Sequence, residues 1–235
     1  MPAVSVDETL YAQFPGARIA LVVACDVRGA ELRPQGETAL AGLEAETSAG
    51  TFVPADENNP AISSWHAAYR RFGTNPRRFR PSVDALCRRL TRSGQLPRIN
   101  GPVDLYNSIS VRHALPAGAF DMDALRGDLT VRFARPGDEF VPLGEPDTVE
   151  TPRYGEVVYA DEISVVSRHW NHRDSDRSKV TDKSRNIIFI FETVLGSKGA
   201  EQLQVAAGQL SAGLATYADR TTTYLLGPGG LSASW

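Results

Sequence analysis

Helical and strand patterns are segregated along this chain, and that order constrains its fold more than any other feature. Up to His113 most recognisable elements are helical. Gly36–Glu46 sets alanine and leucine at helical spacing, and Ile62–Phe72 follows with Ser63 and Ser64 as candidate caps. Ser82 opens a helix over Val83–Leu90, and Val103–His113 forms another. Pro76, Pro81, Pro97 and Pro102 punctuate the gaps. Beyond it, Leu129–Phe133 (LTVRF), Glu156–Tyr159 (EVVY), Ile163–Ser167 (ISVVS) and Asn186–Glu192 (NIIFIFE) are rich in β-branched and aromatic residues, as strands are. Ile19–Val27 is a buried strand within the helical half, and a helix over 200–216 and a strand over Thr222–Leu226 close the chain. Helices followed by strands predict an α+β fold rather than strict alternation around a parallel sheet. The strands after Leu129 should form a central β layer, flanked by the helices that precede His113. The 235 residues suit a single domain, with 1–60 an acidic N-terminal α/β part and 61–235 the core.

Several function classes find no support. The longest apolar run, Ile19–Cys25, is seven residues, whereas a membrane span needs roughly 20, so no membrane association is expected. The first ten residues, MPAVSVDETL, have neither a basic nor an apolar signal region, and Cys25 and Cys87 are the only cysteines. Both facts lead us to expect a cytoplasmic protein with reduced, core-forming thiols. There is no GxGxxG, GxxxxGK[ST] or GxSxG. His169 and His172 form an HxxH without partners at ligand spacing, so neither metal nor cofactor is expected. Gly227-Pro228-Gly229-Gly230 is expected to be a flexible tail.

Charge is polarised. Residues 1–61 hold nine acids against three bases, a net of -6, while residues 70–98 hold nine arginines against the single acid Asp84, a net of +8. Tyr69, Phe72 and Phe79 interleave the arginines. Basic side chains neutralise phosphates and aromatic rings stack on bases, which makes Arg70, Arg71, Arg77, Arg78 and Arg80 candidate RNA contacts. The alternative is a solvated face paired with the acidic N-terminal third.

A second anomaly is the polar stretch His169–Arg185, HWNHRDSDRSKVTDKSR, between two apolar strands. Structureless connections beyond ~12–15 residues in a compact domain are usually functional or disordered. It carries two of the four histidines, whose ordinary pKa near 6.5 suits proton transfer at neutral pH. It also carries Arg173, Arg177 and Lys179, following Arg168, all suited to phosphate. A binding or catalytic loop and a mobile, self-paired loop are both compatible with these facts.

Five segments, in order, carry a family resemblance: YRRFGTNPRRFRP (69–81), LPRINGPVDLYNSIS (96–110), LPAGAFD (115–121), YGEVVYAD (154–161) and 168–192. Together they resemble the B3/B4 domain, the editing module of the bacterial phenylalanyl-tRNA synthetase β chain, and most of all the freestanding proteins made of that domain alone. The resemblance implies a single α+β B3/B4-like domain that binds the aminoacylated 3′ end of tRNA and hydrolyses wrongly esterified amino acid. Such a chain would not be a complete synthetase, so editing would occur in trans. An aminoacyl ester is already activated; its hydrolysis requires a positioned water and oxyanion stabilisation, not an enzyme nucleophile.

The resemblance directs attention to Asn100, Asp104 and Asn107 of the INGPVDLYN segment, which share a helix face or else brace a helix–sheet junction. It also exposes two departures. Synthetase modules usually have histidine in a PxHAFD box, where this chain has Gly118, and their acidic loop position falls near Asp176. The substitute polar groups would come from the loop: His169, Asn171, His172, Arg173, Asp174, Asp176, Ser178 and Lys179. The expectation is therefore His172, Asp176 and Asn100 as catalytic residues. Asp104, Asn107, Gly118, His169, Asn171 and Arg173 would contact substrate, and Lys179 would join the arginines on RNA. Two alternatives remain: a noncatalytic tRNA- or RNA-binding protein, and a small-molecule (amino acid) binding module reusing the fold.

Overall fold

The computed structural model describes residues 3–228 and 230–234. In chain order the elements are β1 (Ala3–Val6), α1 (Glu8–Gln13), β2 (Arg18–Cys25), α2 (Gly29–Ser48), α3 (Pro60–Arg71), α4 (Ser82–Ser93) and α5 (Gly101–His113). Then come β3 (Ala117–Asp121), β4 (Leu129–Phe133), β5 (Val157–Ala160), β6 (Val165–Arg168), β7 (Arg173–Asp174), β8 (Ile187–Thr193), α6 (Ser197–Leu214), β9 (Arg220–Leu226) and β10 (Ser232–Ser234).

The strands form two sheets, ordered β10-β1-β4-β5-β6-β7 and β3-β8-β2-β9. The second is antiparallel throughout, with Leu21 opposite Ile190 in β8 and Tyr224 in β9. In the first, β1 and β4 pair in parallel and the other neighbouring strands pair antiparallel. The architecture is α+β.

β2 and β8 are unbroken apolar runs because both their faces are covered. Side chains alternate across a strand. Ile19, Leu21 and Val23 of β2, with Ile188 and Ile190 of β8, face the other sheet and pack with Val131, Val157, Tyr159, Trp65 and Trp170. The intervening Ala20, Val22, Ala24, Ile187, Phe189 and Phe191 face α2, α5 and α6 through Leu32, Leu105, Ile109, Leu203 and Leu210. Glu192 shares the parity of Ile188 and Ile190, so this strand aims a carboxylate into the layer between the sheets. α2 and α5 cross closely at paired glycines: a Cβ on Gly101 would lie 2.6 Å from the Arg33 nitrogen, and one on Gly36 2.7 Å from the Gly101 carbonyl oxygen.

The central layer is not supplied only by the late strands. β1 and β2 come from the first 25 residues, and β2 lies inside the four-stranded sheet. Neither β1 nor α1 was expected, nor was β3, which occupies the AGAFD box. α2 extends well before Gly36 and runs through Pro34. α3 is capped by Asn59, whose side chain accepts from the Ala61 N–H at 2.9 Å with Pro60 at the first position, and not by Ser63 or Ser64. Those serines instead donate back to the Pro60 and Ala61 carbonyls. The Ser82 hydroxyl makes no cap bond; it lies 3.2 Å from the Ala117 carbonyl oxygen. Gly227 and Gly230 exchange backbone hydrogen bonds of 3.0 and 2.9 Å, closing the β9–β10 turn; Gly229 lies outside the described residues. No helix among the described residues is long and apolar enough to cross a membrane.

Candidate functional site

Two irregular segments meet beside the layer between the sheets: residues 74–82, leading into α4, and the turn 169–172 that joins β6 to β7. The Ser82 N–H donates to the Asn171 carbonyl at 3.0 Å. Phe79 stacks on His169 at 4.0 Å between ring centroids and meets His172 edge-on at 5.4 Å. The turn is strained, since His169 and Trp170 both adopt left-handed backbone angles, φ 47° and 67°. Such conformations cost non-glycine residues roughly 1–3 kcal/mol and persist only where the surroundings enforce them. Here Trp170 is held by its N–H on the Val157 carbonyl (2.6 Å) and its indole N–H on Glu192 Oε1 (2.7 Å).

Glu192 anchors the site. Its Oε1 also accepts from the Tyr159 hydroxyl, and its Oε2 accepts from Asn171 Nδ2 at 2.8 Å. The Asn171 Oδ1 in turn accepts from the Tyr69 hydroxyl at 2.8 Å. Burial pushes the Glu192 carboxyl up to about 7, despite these three donors. Asp174 faces the same pocket, and enclosure by protein raises it to about 6.

The histidines differ in commitment. His172 Nδ1 is 2.8 Å from the Arg80 carbonyl oxygen, which can only accept, so Nδ1 carries the proton and Nε2 the lone pair. Burial lowers the His172 pKa, keeping the ring neutral at physiological pH. His169 lies deeper; its Nδ1 is 3.0 Å from Thr74 Oγ1, and burial, reinforced by Arg168, drives its pKa down to about 3.

The resulting pocket has about 350 Å³ of empty space including its mouth. Phe120, Tyr159, Trp170 and Ile190 supply apolar surface, while His172, Asp174, Glu192, Asn171 and Ser82 supply polar groups. Gly118 opens part of it: a Cβ there would meet only Asp174 Oδ2, at 3.7 Å. A neutral imidazole with a free lone pair, a carboxylate that can face an ammonium group and an apolar wall are together suited to an ester of an amino acid.

Residues 64–207, more than half of the chain, match the family model described as the B3/4 domain. The chain belongs to the B3/4 domain family. Curated relatives include the phenylalanine–tRNA ligase β subunits of Bordetella pertussis (30% identical over 99 residues, 42% of this chain and 12% of that protein). That of Nocardia farcinica is 39% identical over 101 residues, 43% of this chain and 12% of that protein. The chain thus aligns with little more than a tenth of these relatives' length. Among solved structures, an N-terminal fragment of the phenylalanyl-tRNA synthetase β subunit from Pyrococcus horikoshii matches with a TM-score of 0.49 and 13% identity, covering 94% of this chain and 49% of that one.

This B3/4 domain gathers part of the expected residue set. His172, Asn171, Gly118 and Arg173 line the pocket, with His169 behind them. The Arg173 guanidinium turns away to the Leu143 carbonyl and Glu145. The remaining residues lie elsewhere. Asn100 caps α5, accepting from the Val103 N–H and donating to the Val180 carbonyl, both at 3.0 Å. Asp104 is buried against α2 and accepts from the Ile99 N–H at 2.8 Å. Asn107 is buried on α5, outside the pocket. Asp176 is bound to Lys179 and the Gly144 N–H, so neither the expected catalytic carboxylate nor the expected RNA-binding lysine is free. Arg168 and Arg177 are also paired internally, with Glu156 and Asp161.

The pocket's carboxylates are Asp174, read in the sequence only as one of several loop groups, and Glu192, not singled out at all. A signal existed, because a lone carboxylate at the end of NIIFIFE is expensive to bury without partners. Of the basic residues, Arg80 is half-buried and binds Asp84 at 3.0 Å, while Arg70, Arg71, Arg77 and Arg78 are exposed and, among the described residues, have no carboxylate within ion-pair distance.

Proposed function

We propose that this B3/4 domain hydrolyses the ester of a mischarged aminoacyl-tRNA in trans. One observation carries the reading: the basic segment and the pocket share His172, whose Nδ1 is held by the Arg80 carbonyl and whose Nε2 is left as a base. RNA held on Arg77 and Arg78 would present its 3′ end at the rim formed by Arg80–Ser82. Membership in a family related to phenylalanine–tRNA ligase β subunits supports the same direction.

In this scheme, water hydrogen-bonded to His172 Nε2 attacks the ester carbonyl while the imidazole accepts its proton. The bond from carbonyl carbon to ribose oxygen then breaks, and His172 returns the proton to that oxygen, which leaves as the ribose hydroxyl while the amino acid departs as its carboxylate. Asp174 faces the α-ammonium group, and the Phe120–Tyr159–Trp170 wall packs on the amino-acid side chain. Glu192 and Asn171 hold that wall and the turn in place. We assign Asn100, Asp104 and Asn107 to bracing α5, and treat residues 1–60 as part of one folding unit with the remainder. Action on released tRNA fits a cytoplasmic protein.

The test is release of free amino acid from a panel of tRNAs carrying cognate and non-cognate residues. Hydrolysis of at least one well above the spontaneous rate supports the reading. Binding of deacylated tRNA without any hydrolysis would favour the noncatalytic binder, and binding of free amino acids alone the small-molecule module.

A further inference from the structure

A second, larger depression borders the start of the basic segment at Arg71–Gly73, and nothing in the pocket's chemistry uses it. It encloses about 1290 Å³ of empty space including its open side, against about 350 Å³ for the pocket. Its walls include Arg71, Arg135, Arg153 and Tyr154, with Asp7 the one acid among its lining residues. Arg135 reaches Asp7 only at 3.7 Å and is 63% exposed. Arg71 lies over the Phe14 ring and, among the described residues, meets no carboxylate. Arg153 donates to the Phe72 carbonyl at 3.1 Å and, among the described residues, has no carboxylate within ion-pair distance. Tyr154 is 78% exposed and has no side-chain hydrogen bond among the described residues. An aromatic ring standing in solvent among three guanidinium groups is the combination that binds single-stranded nucleic acid: the ring stacks on a base and the arginines neutralise phosphates.

The groove is also tied to the pocket by one stretch of chain. Gly73 lines the groove and Ser82 lines the pocket. Nine residues of even fully extended chain span at most about 30 Å. The exposed Arg77 and Arg78 lie between Gly73 and Ser82 in sequence.

We propose that this groove is a binding site for the single-stranded end of an RNA, upstream of the nucleotide presented to the pocket. Tyr154 stacks on one base, and Arg71, Arg135 and Arg153 contact the phosphates beside it. The proposal extends the aminoacyl-tRNA reading and rests on it for the direction of the strand, but RNA binding in the groove can be measured without hydrolysis.

The test uses the whole protein and a fluorescent single-stranded RNA oligonucleotide ending in CCA, read by anisotropy across a salt series. Tyr154→Ala should weaken binding by ~10-fold or more, and Tyr154→Phe, which keeps the ring, should restore it. Arg135→Ala and Arg71→Ala should each lower the slope of log K against log salt by ~0.7. Circular dichroism checks that each variant is folded. Wild-type affinity in Tyr154→Ala together with unchanged slopes in both arginine variants would overturn the proposal, as would absence of RNA binding by the wild type. Equal affinity for an acidic peptide, insensitive to Tyr154, would also overturn it and point to a protein partner. If these effects appear but no aminoacyl-tRNA is hydrolysed, the groove stands and the hydrolase reading fails. If hydrolysis occurs while the groove variants bind RNA normally, the groove alone fails.

Discussion

His172 Nδ1 lies 2.8 Å from the carbonyl oxygen of Arg80, so an arginine of the basic segment holds the imidazole of the pocket by its backbone. The bond sets the tautomer, orients the ring and couples anything that moves segment 74–82 to the chemistry. It survives substitution of the Arg80 side chain, because the acceptor is main chain.

The pH dependence of hydrolysis should follow His172. A general base acts when unprotonated, and burial lowers this pKa below the ordinary 6.5. The acid limb of the single-turnover rate that reports this base should therefore be centred below pH 6.5. An acid limb centred above pH 7 would assign the base to another group.

His169 should make folding acid-sensitive. Its folded pKa, about 3, is below its unfolded value near 6.5. The unfolded chain therefore takes up a proton first, and stability present above pH 6.5 is lost as pH falls toward 3, by up to about 1.4 kcal/mol per pH unit. His169→Asn, which tolerates the left-handed backbone, should remove that component of the slope. Denaturant melts of both proteins between pH 7 and 4 that run parallel would contradict this.

Gly118→Ala should be tolerated. The added methyl meets only Asp174 Oδ2, at an ordinary 3.7 Å, and Gly118 is not among the positive-φ glycines. Reduced freedom of the unfolded chain should stabilise the variant by ~0.4–1 kcal/mol. A fall in melting temperature of several degrees would show that the strand conformation there requires glycine.

The basic segment should contribute through Arg77 and Arg78, not Arg80. Arg80 and His66 Nε2 share Asp84 Oδ2, each at 3.0 Å, so Arg80→Ala would damage a buried ion pair and confound the result. The double variant Arg77→Ala/Arg78→Ala should reduce the salt slope of tRNA binding by ~1.4–1.8 and keep the wild-type melting temperature. An unchanged slope would make these arginines a solvated face.

Elements buried on both sides were the most legible part of the sequence: β2 and β8 announce themselves because nothing polar interrupts them until Glu192. Short elements were not. β1 and α1 have four and six residues, too few for periodicity to register, and β3 is hidden in a Gly-Ala box. Asn59-Pro60 is a readable helix start, since proline favours the first helical position, but Ser63 and Ser64 offer a competing cap signal. His172 of the candidate site stood out because its loop is anomalous, but the same loop left its carboxylates indistinguishable. Asp174 and Asp176 differ by two positions, and only pairing of β7 with β6 puts Asp174 opposite Ser167 and on the pocket. Asn100 shows the converse: a cap and a ligand share one sequence signature, and its bonds to Val103 and Val180 reveal a brace.

The most direct test of the account is single-turnover hydrolysis, by wild type and His172→Ala, of the mischarged tRNA from the panel that wild type cleaves fastest. The account predicts that the variant stays folded, binds the tRNA and cleaves ~10²–10⁴-fold more slowly. Equal rates in the two proteins, or no tRNA in the panel cleaved by wild type above the spontaneous rate, would contradict it.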